Sequence, residues 1–104
     1  MTLKMKEFTI NFDPESGGIR HESITVNFNE QVLAAQAVLK GFEAKFTQPG
    51  SDRPFRQLHI DLDVESVTTH AVNIKADFGL RDASGVFDDP YGGFIQGVVI
   101  ANVA

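Results

Sequence analysis

Two neighbouring segments of strict two-residue alternation constrain this chain more than any other feature. Leu58, Ile60, Leu62 and Val64 fall on one side of an extended backbone, with His59, Asp61, Asp63 and Glu65 on the other. After Ser66 to His70 the alternation resumes, setting Val72, Ile74, Ala76 and Phe78 against Asn73, Lys75 and Asp77. Successive side chains of a β-strand point to opposite faces, so this period specifies two strands, each with one apolar and one wet face. The short spacer predicts an antiparallel hairpin. Across it, Lys75 can pair with Asp61 or Asp63, a contact of roughly 0.2–1 kcal/mol. A half-apolar sheet needs a second layer, and few helical patterns are available to supply one.

The remaining segments extend the same theme. Phe8, Ile10 and Phe12 alternate through Glu7 to Phe12, and Ile24, Val26 and Phe28 through Glu22 to Phe28. Between them Asp13 to Gly18 is a cluster of turn residues. The segment Glu30 to Phe46 reads two ways. Val32, Ala35, Leu39, Phe42 and Phe46 fall at helical spacing, whereas Ala35, Ala37 and Leu39 alternate as in a strand and Gly41 opposes a helix. Thr47 to Pro54 is a loop centred on Pro49-Gly50, and Arg81 to Gly93 a second, richer in Asp and Gly. The last strand, Phe94 to Val103, is apolar on both faces: Ile95, Val99, Ala101 and Val103 on one, Phe94, Val98 and Ile100 on the other. One face belongs to the core, and the other predicts a subunit interface or a further layer. The expectation is an all-β fold, a six-stranded antiparallel β-sandwich, with residues 1–104 as a single domain.

Composition removes several function classes. With 14 Asp and Glu against nine Lys and Arg, and no basic cluster, the surface repels nucleic acid and anionic lipid. No apolar run is long enough to span a membrane as a helix. The lysines of Met1 to Lys6 lead into alternating residues rather than an apolar stretch, which predicts no signal peptide in this chain and leaves a secreted or cell-surface role open. Without cysteine there is neither disulfide nor thiolate metal site. His21, His59 and His70 show no metalloprotease spacing, and no G-x-S-x-G or phosphate-binding glycine motif occurs. The chain is therefore expected to bind rather than to catalyse, with no obligatory cofactor.

From Ile24 onward the order of elements resembles the H-type lectins, small β-sandwich agglutinins. Ile24-Thr25-Val26-Asn27-Phe28 is similar to the family's early strand ending in Phe. Val38-Leu39-Lys40-Gly41-Phe42-Glu43 looks like its central strand, Leu58 to Val64 and Glu65 to Lys75 like its next two strands and their Ser/Thr turn, and Val98 to Val103 like its closing strand. The resemblance implies a strand within Glu30 to Phe46, a glycan ligand, and a homotrimer or dimer of trimers. The family's sugar-reading aromatic, often Trp followed by His, falls where this chain has Gly79-Leu80-Arg81-Asp82, and the chain has no Trp.

Two constellations carry candidate chemistry. The acidic, Gly-rich loop and its flanks offer Arg81, Asp82, Asp88, Asp89 and Tyr91 as ligand-binding residues, because binding groups concentrate on loops held by rigid scaffolds. Phe87 or Tyr91 could supply the ring on which a sugar stacks, and Ca²⁺ is an alternative ligand for the carboxylates. The row His59-x-Asp61-x-Asp63-x-Glu65 puts potential metal ligands on one strand face. Its members stand about 7 Å apart, so an ion there needs ligands from a neighbouring strand, and a solvated face is the simpler reading. Two functions follow as expectations: an oligomeric carbohydrate-binding module, or an assembly module that oligomerises without binding sugar.

Overall fold

A computed structural model describes residues 2–47, 55–82 and 90–104, without the side chains of residues 55, 56 and 82. Six strands follow one another: β1 (Thr2–Glu15), β2 (Arg20–Asn27), β3 (Val32–Phe46), β4 (Phe55–Val67), β5 (Ala71–Asp82) and β6 (Tyr91–Val103). They form two three-stranded antiparallel sheets, ordered β1-β6-β3 and β2-β5-β4. The all-β sandwich expected from the alternation is the fold observed, and no helix occurs among the described residues.

The core lies between the two central strands. Val72, Ile74, Ala76, Phe78 and Leu80 of β5 face Ile95, Val99, Ala101 and Val103 of β6, all buried. Phe8, Ile10 and Phe12 enter from β1 and Val26 from β2. Gly97 faces the core with no side chain, and Phe8 occupies the space: a Cβ there would lie 2.4 Å from Phe8 Cζ and 3.1 Å from Leu62 Cδ1. At the N-terminal end of β1, Lys6 lies over the Phe28 ring and donates to Asn27 O, while Lys4 pairs with Glu30. Both stems thereby cover the end of the core with their charged heads satisfied.

One ambiguity resolves and two sequence expectations shift. Within Glu30 to Phe46, Val32–Phe46 is a strand, and its helical spacing has a physical origin. Register shifts between Val32 and Ala34 and between Leu39 and Gly41 each insert a residue into β3. The core-facing set therefore runs Val32, Ala35, Ala37, Leu39, Phe42, Ala44, Phe46, opposite Val103, Ala101, Val99, Gly97, Ile95, Gly93 and Tyr91 of β6. Two bulges turn a two-residue period into spacings of three and four. The strands also run past their alternating cores, so that β1 spans Thr2–Glu15 and β6 begins at Tyr91, inside the segment read as loop. Finally, register sets Lys75 opposite Asp63, but its ion pair is with Asp77, at 4.0 Å.

Long strands in narrow sheets make the domain a rod of 53 × 18 × 18 Å. Its radius of gyration is 16.1 Å, against about 13 Å for a compact chain of this length. With three strands per sheet, each sheet has one central strand and two edges, and Phe28 joins the core from the link between β2 and β3.

Candidate functional site

Of the residues expected to bind a ligand, Arg81 and Tyr91 are described with their side chains, and both lie at one end of the rod. Asp88 and Asp89, with Phe87, lie outside the described residues, as does the side chain of Asp82. Arg81 is half-buried on β5, in register with Gln57 of β4. Tyr91 corrects the expectation, because it is a core residue with no exposed surface. Its ring follows a stack in which Phe12 and Phe78 lie 4.6 Å apart and Phe78 and Tyr91 5.7 Å apart. Its hydroxyl donates to Gly18 O at 2.6 Å. No face of the ring is open to a sugar.

Arg20 holds this end together and was not legible in the sequence. Its guanidinium sits 4.5 Å from the Tyr91 ring centroid, with Nη2 donating to Tyr91 O at 2.7 Å and Nη1 to Asp13 O at 2.6 Å. One cation thus joins the end of β1 and the starts of β2 and β6 by charge-assisted hydrogen bonds and a cation–π contact. Nothing in Gly17-Gly18-Ile19-Arg20 marks that role. At the same end Thr47 N donates to Pro90 O at 3.1 Å, which ties the end of β3 to the residue before β6.

The acidic strand face gathers differently from the sequence row. Among the described residues, oxygens of Asp61, Asp63 and Asp77 come within 4.8 Å of one another, with Asp77 supplied by β5. A register shift between Val64 and Ser66 interrupts the row before Glu65, and His59 stands opposite Gly79. Protein nitrogens already face the cluster: His21 Nδ1 contacts Asp77, and Lys75 lies 4.0 Å from the same carboxylate. The charge of Asp61, with a smaller contribution from burial, raises the pKa of Asp63. At the opposite end, the hydrogen bond from Lys4 lowers the pKa of Glu30.

These two shifts act on stability with opposite signs. Glu30, depressed in the folded state, contributes stability above its ordinary pKa that is lost as pH falls through the folded value. Asp63, raised in the folded state, opposes folding above its folded pKa, and that penalty fades as pH falls toward its ordinary value. Asp61→Asn should return Asp63 toward an ordinary aspartate pKa. A carboxyl-carbon NMR titration checks this, and an unchanged Asp63 midpoint contradicts it.

Two apolar surfaces remain. The outer face of the β1-β6-β3 sheet carries Leu3 and Met5, each 70% exposed, and Val38 around half-buried Val98 and Ile100. Register sets these in rungs, Leu3–Asn102–Ala34, Met5–Ile100–Gln36 and Glu7–Val98–Val38. A shallow groove among them is lined by Leu3, Ala34, Gln36, Ile100 and Asn102. Asn102 Oδ1 is buried there with no hydrogen-bond partner. The salt bridge of Lys40 to Glu7, at 2.8 Å, borders the patch. The second surface is the side of the sandwich where edge strands β3 and β4 lie over one another, with Leu39, Phe42 and Leu58 exposed.

Fold and surfaces together define a small six-stranded β-sandwich with unpaired apolar faces. No family model, curated protein or solved structure matches the chain.

Proposed function

We propose that this protein is an assembly module, a β-sandwich that associates with further copies of itself through the outer face of its β1-β6-β3 sheet. One observation carries the reading: a contiguous apolar patch, Leu3, Met5, Val38, Val98 and Ile100, bordered by polar and charged groups. Monomeric surfaces rarely carry such a patch, and an apolar centre within a polar rim is the anatomy of an interface. Two such faces pack as sheets do, about 10 Å apart. Association would cover the patch and bring donors near Asn102 Oδ1, whose unpaired burial costs about 1–3 kcal/mol. Substitution of Val98, on the central strand of the patch, is the test: Val98→Asp should dissolve the association.

A second reading is glycan binding by an oligomeric, non-catalytic H-type-lectin-like module. The observation that favours it is the half-buried Arg81 at the same end of the sandwich as the hydrogen bond from Thr47 to Pro90. A ligand there would be met by Arg81 and the acidic residues Asp82, Asp88 and Asp89, and repeated sites in an oligomer would gain avidity. A glycan array run with and without Ca²⁺ tests this. Saturable binding competed by the free sugar supports it, and calcium dependence would assign an ion to the carboxylates. A blank array from the folded oligomer leaves assembly as the function.

A further inference from the structure

The open side of the sandwich is a separate surface with its own chemistry. Leu39, Phe42 and Leu58 face inward by register, opposite Gly97, Ile95 and Leu80, yet stay 44%, 45% and 37% exposed. They are core positions lacking a neighbour. Beside them β3 and β4 each pair on one side only, leaving two long backbone edges free on the same side of the rod. Unpaired edges of this length template further strand pairing.

We propose that this side receives a second copy of the same chain, with β3 of one copy pairing antiparallel to β4 of the next. Strand direction allows it, because β3 ends and β4 begins at the Tyr91 end, so the two run oppositely. A rotation axis parallel to the strands sets β3 beside the neighbour's β4 and continues each three-stranded sheet into one of the neighbour's. The inward faces then meet, Leu39 and Phe42 with the neighbour's Leu58, Ile60 and Leu62.

Charge selects this pairing over its alternative. The outward face of β3 carries Lys40, paired with Glu7, and Lys45, paired with Glu43, for a net positive strand face, and that of β4 carries Asp61 and Asp63. Within one chain these faces point away from each other, on opposite sides of the sandwich. In the proposed contact they become cross-strand neighbours of opposite sign, which stabilises pairing. A two-fold axis perpendicular to the sheets would instead lay β4 against β4, acid on acid, which opposes association. The crowding of Asp61 and Asp63, visible in the raised Asp63 pKa, is what a neighbour's lysine would relieve. A contact of β3 with β4 serves a closed pair or a ring, depending on the rotation.

This interface is distinct from the outer-face patch; Lys40 borders both, so Asp61→Lys/Asp63→Lys and recovery in the combined chain are what separate them. The test compares Lys40→Glu/Lys45→Glu, Asp61→Lys/Asp63→Lys and the chain carrying all four changes. Sedimentation velocity reads the assembly, and circular dichroism confirms the fold. Each charge reversal alone should weaken association at least about tenfold, and the combined chain should recover it. Unchanged assembly in the single-sided variants, or no recovery in the combined chain, overturns the proposal. Carbodiimide coupling of an isotopically mixed sample gives a second readout, since Lys40 or Lys45 cannot reach Asp61 or Asp63 within one chain. Mixed-isotope links between these residues support the contact, and their absence from a cross-linked oligomer overturns it. A Val98→Asp chain that still couples in this way separates the interface from the outer-face reading.

Discussion

Gly93→Ala should cost more than about 4 kcal/mol and leave the chain largely unfolded, since typical domains hold only about 5–15 kcal/mol. Gly93 adopts φ 151°, a conformation L side chains rarely take. A Cβ on it would lie 1.8 Å from Glu43 O and 2.7 Å from Glu43 C. Both atoms are backbone of β3, so no rotamer change relieves the overlap and β6 would have to part from β3. That contact is where β6 enters the sheet next to Tyr91, beside the aromatic stack and Arg20. Gly41→Ala is the control: its Cβ would meet only Gln96 Oε1, at 3.7 Å, and its effect should stay within about 0.5 kcal/mol. Urea unfolding midpoints compare the three chains. A Gly93→Ala midpoint equal to that of the unchanged protein contradicts the described path of β6.

Val98→Asp should abolish self-association through the outer face while preserving the fold. Val98 lies between Glu7 and Val38 on β6, the central strand of the patch, half-buried in the single chain. Its side chain points away from the core, so an aspartate there stays hydrated in the monomer. In the associated state the carboxylate would be enclosed among Val38, Ile100 and their counterparts. An unpaired charge in such a contact costs on the order of 2–4 kcal/mol, roughly thirty- to several-hundred-fold in Kd. Sedimentation velocity reads the loss, with unchanged circular dichroism as the control. Undiminished association would move the interface off this face.

The sequence made the sandwich legible where a strand has one wet face. Leu58 to Val64 and Val72 to Phe78 alternate without interruption because each lies half in the core and half in solvent. It was ambiguous in Glu30 to Phe46, where two bulges insert residues and imitate helical spacing. The doubly apolar closing strand was legible too, since Val98 and Ile100 cannot share a face with Val99 and Ala101. The end around Tyr91 was the least legible part. Tyr91 follows an acidic loop and reads as a surface aromatic, yet β6 begins there and turns it into the core. Arg20 earns its position only through three-dimensional contacts with Phe12, Phe78 and Tyr91, which no local spacing encodes. The acidic row likewise became a cluster only through Asp77 of the neighbouring strand.

The central claim is that the rod is a subunit, because a long, narrow sandwich leaves apolar surface that a single copy cannot cover. Sedimentation velocity of the unmodified protein across the micromolar range tests it most directly. The account predicts a species whose mass is an integer multiple of the 11.4 kDa chain, giving way to single chains on dilution. A single 11.4 kDa species at every concentration would contradict it.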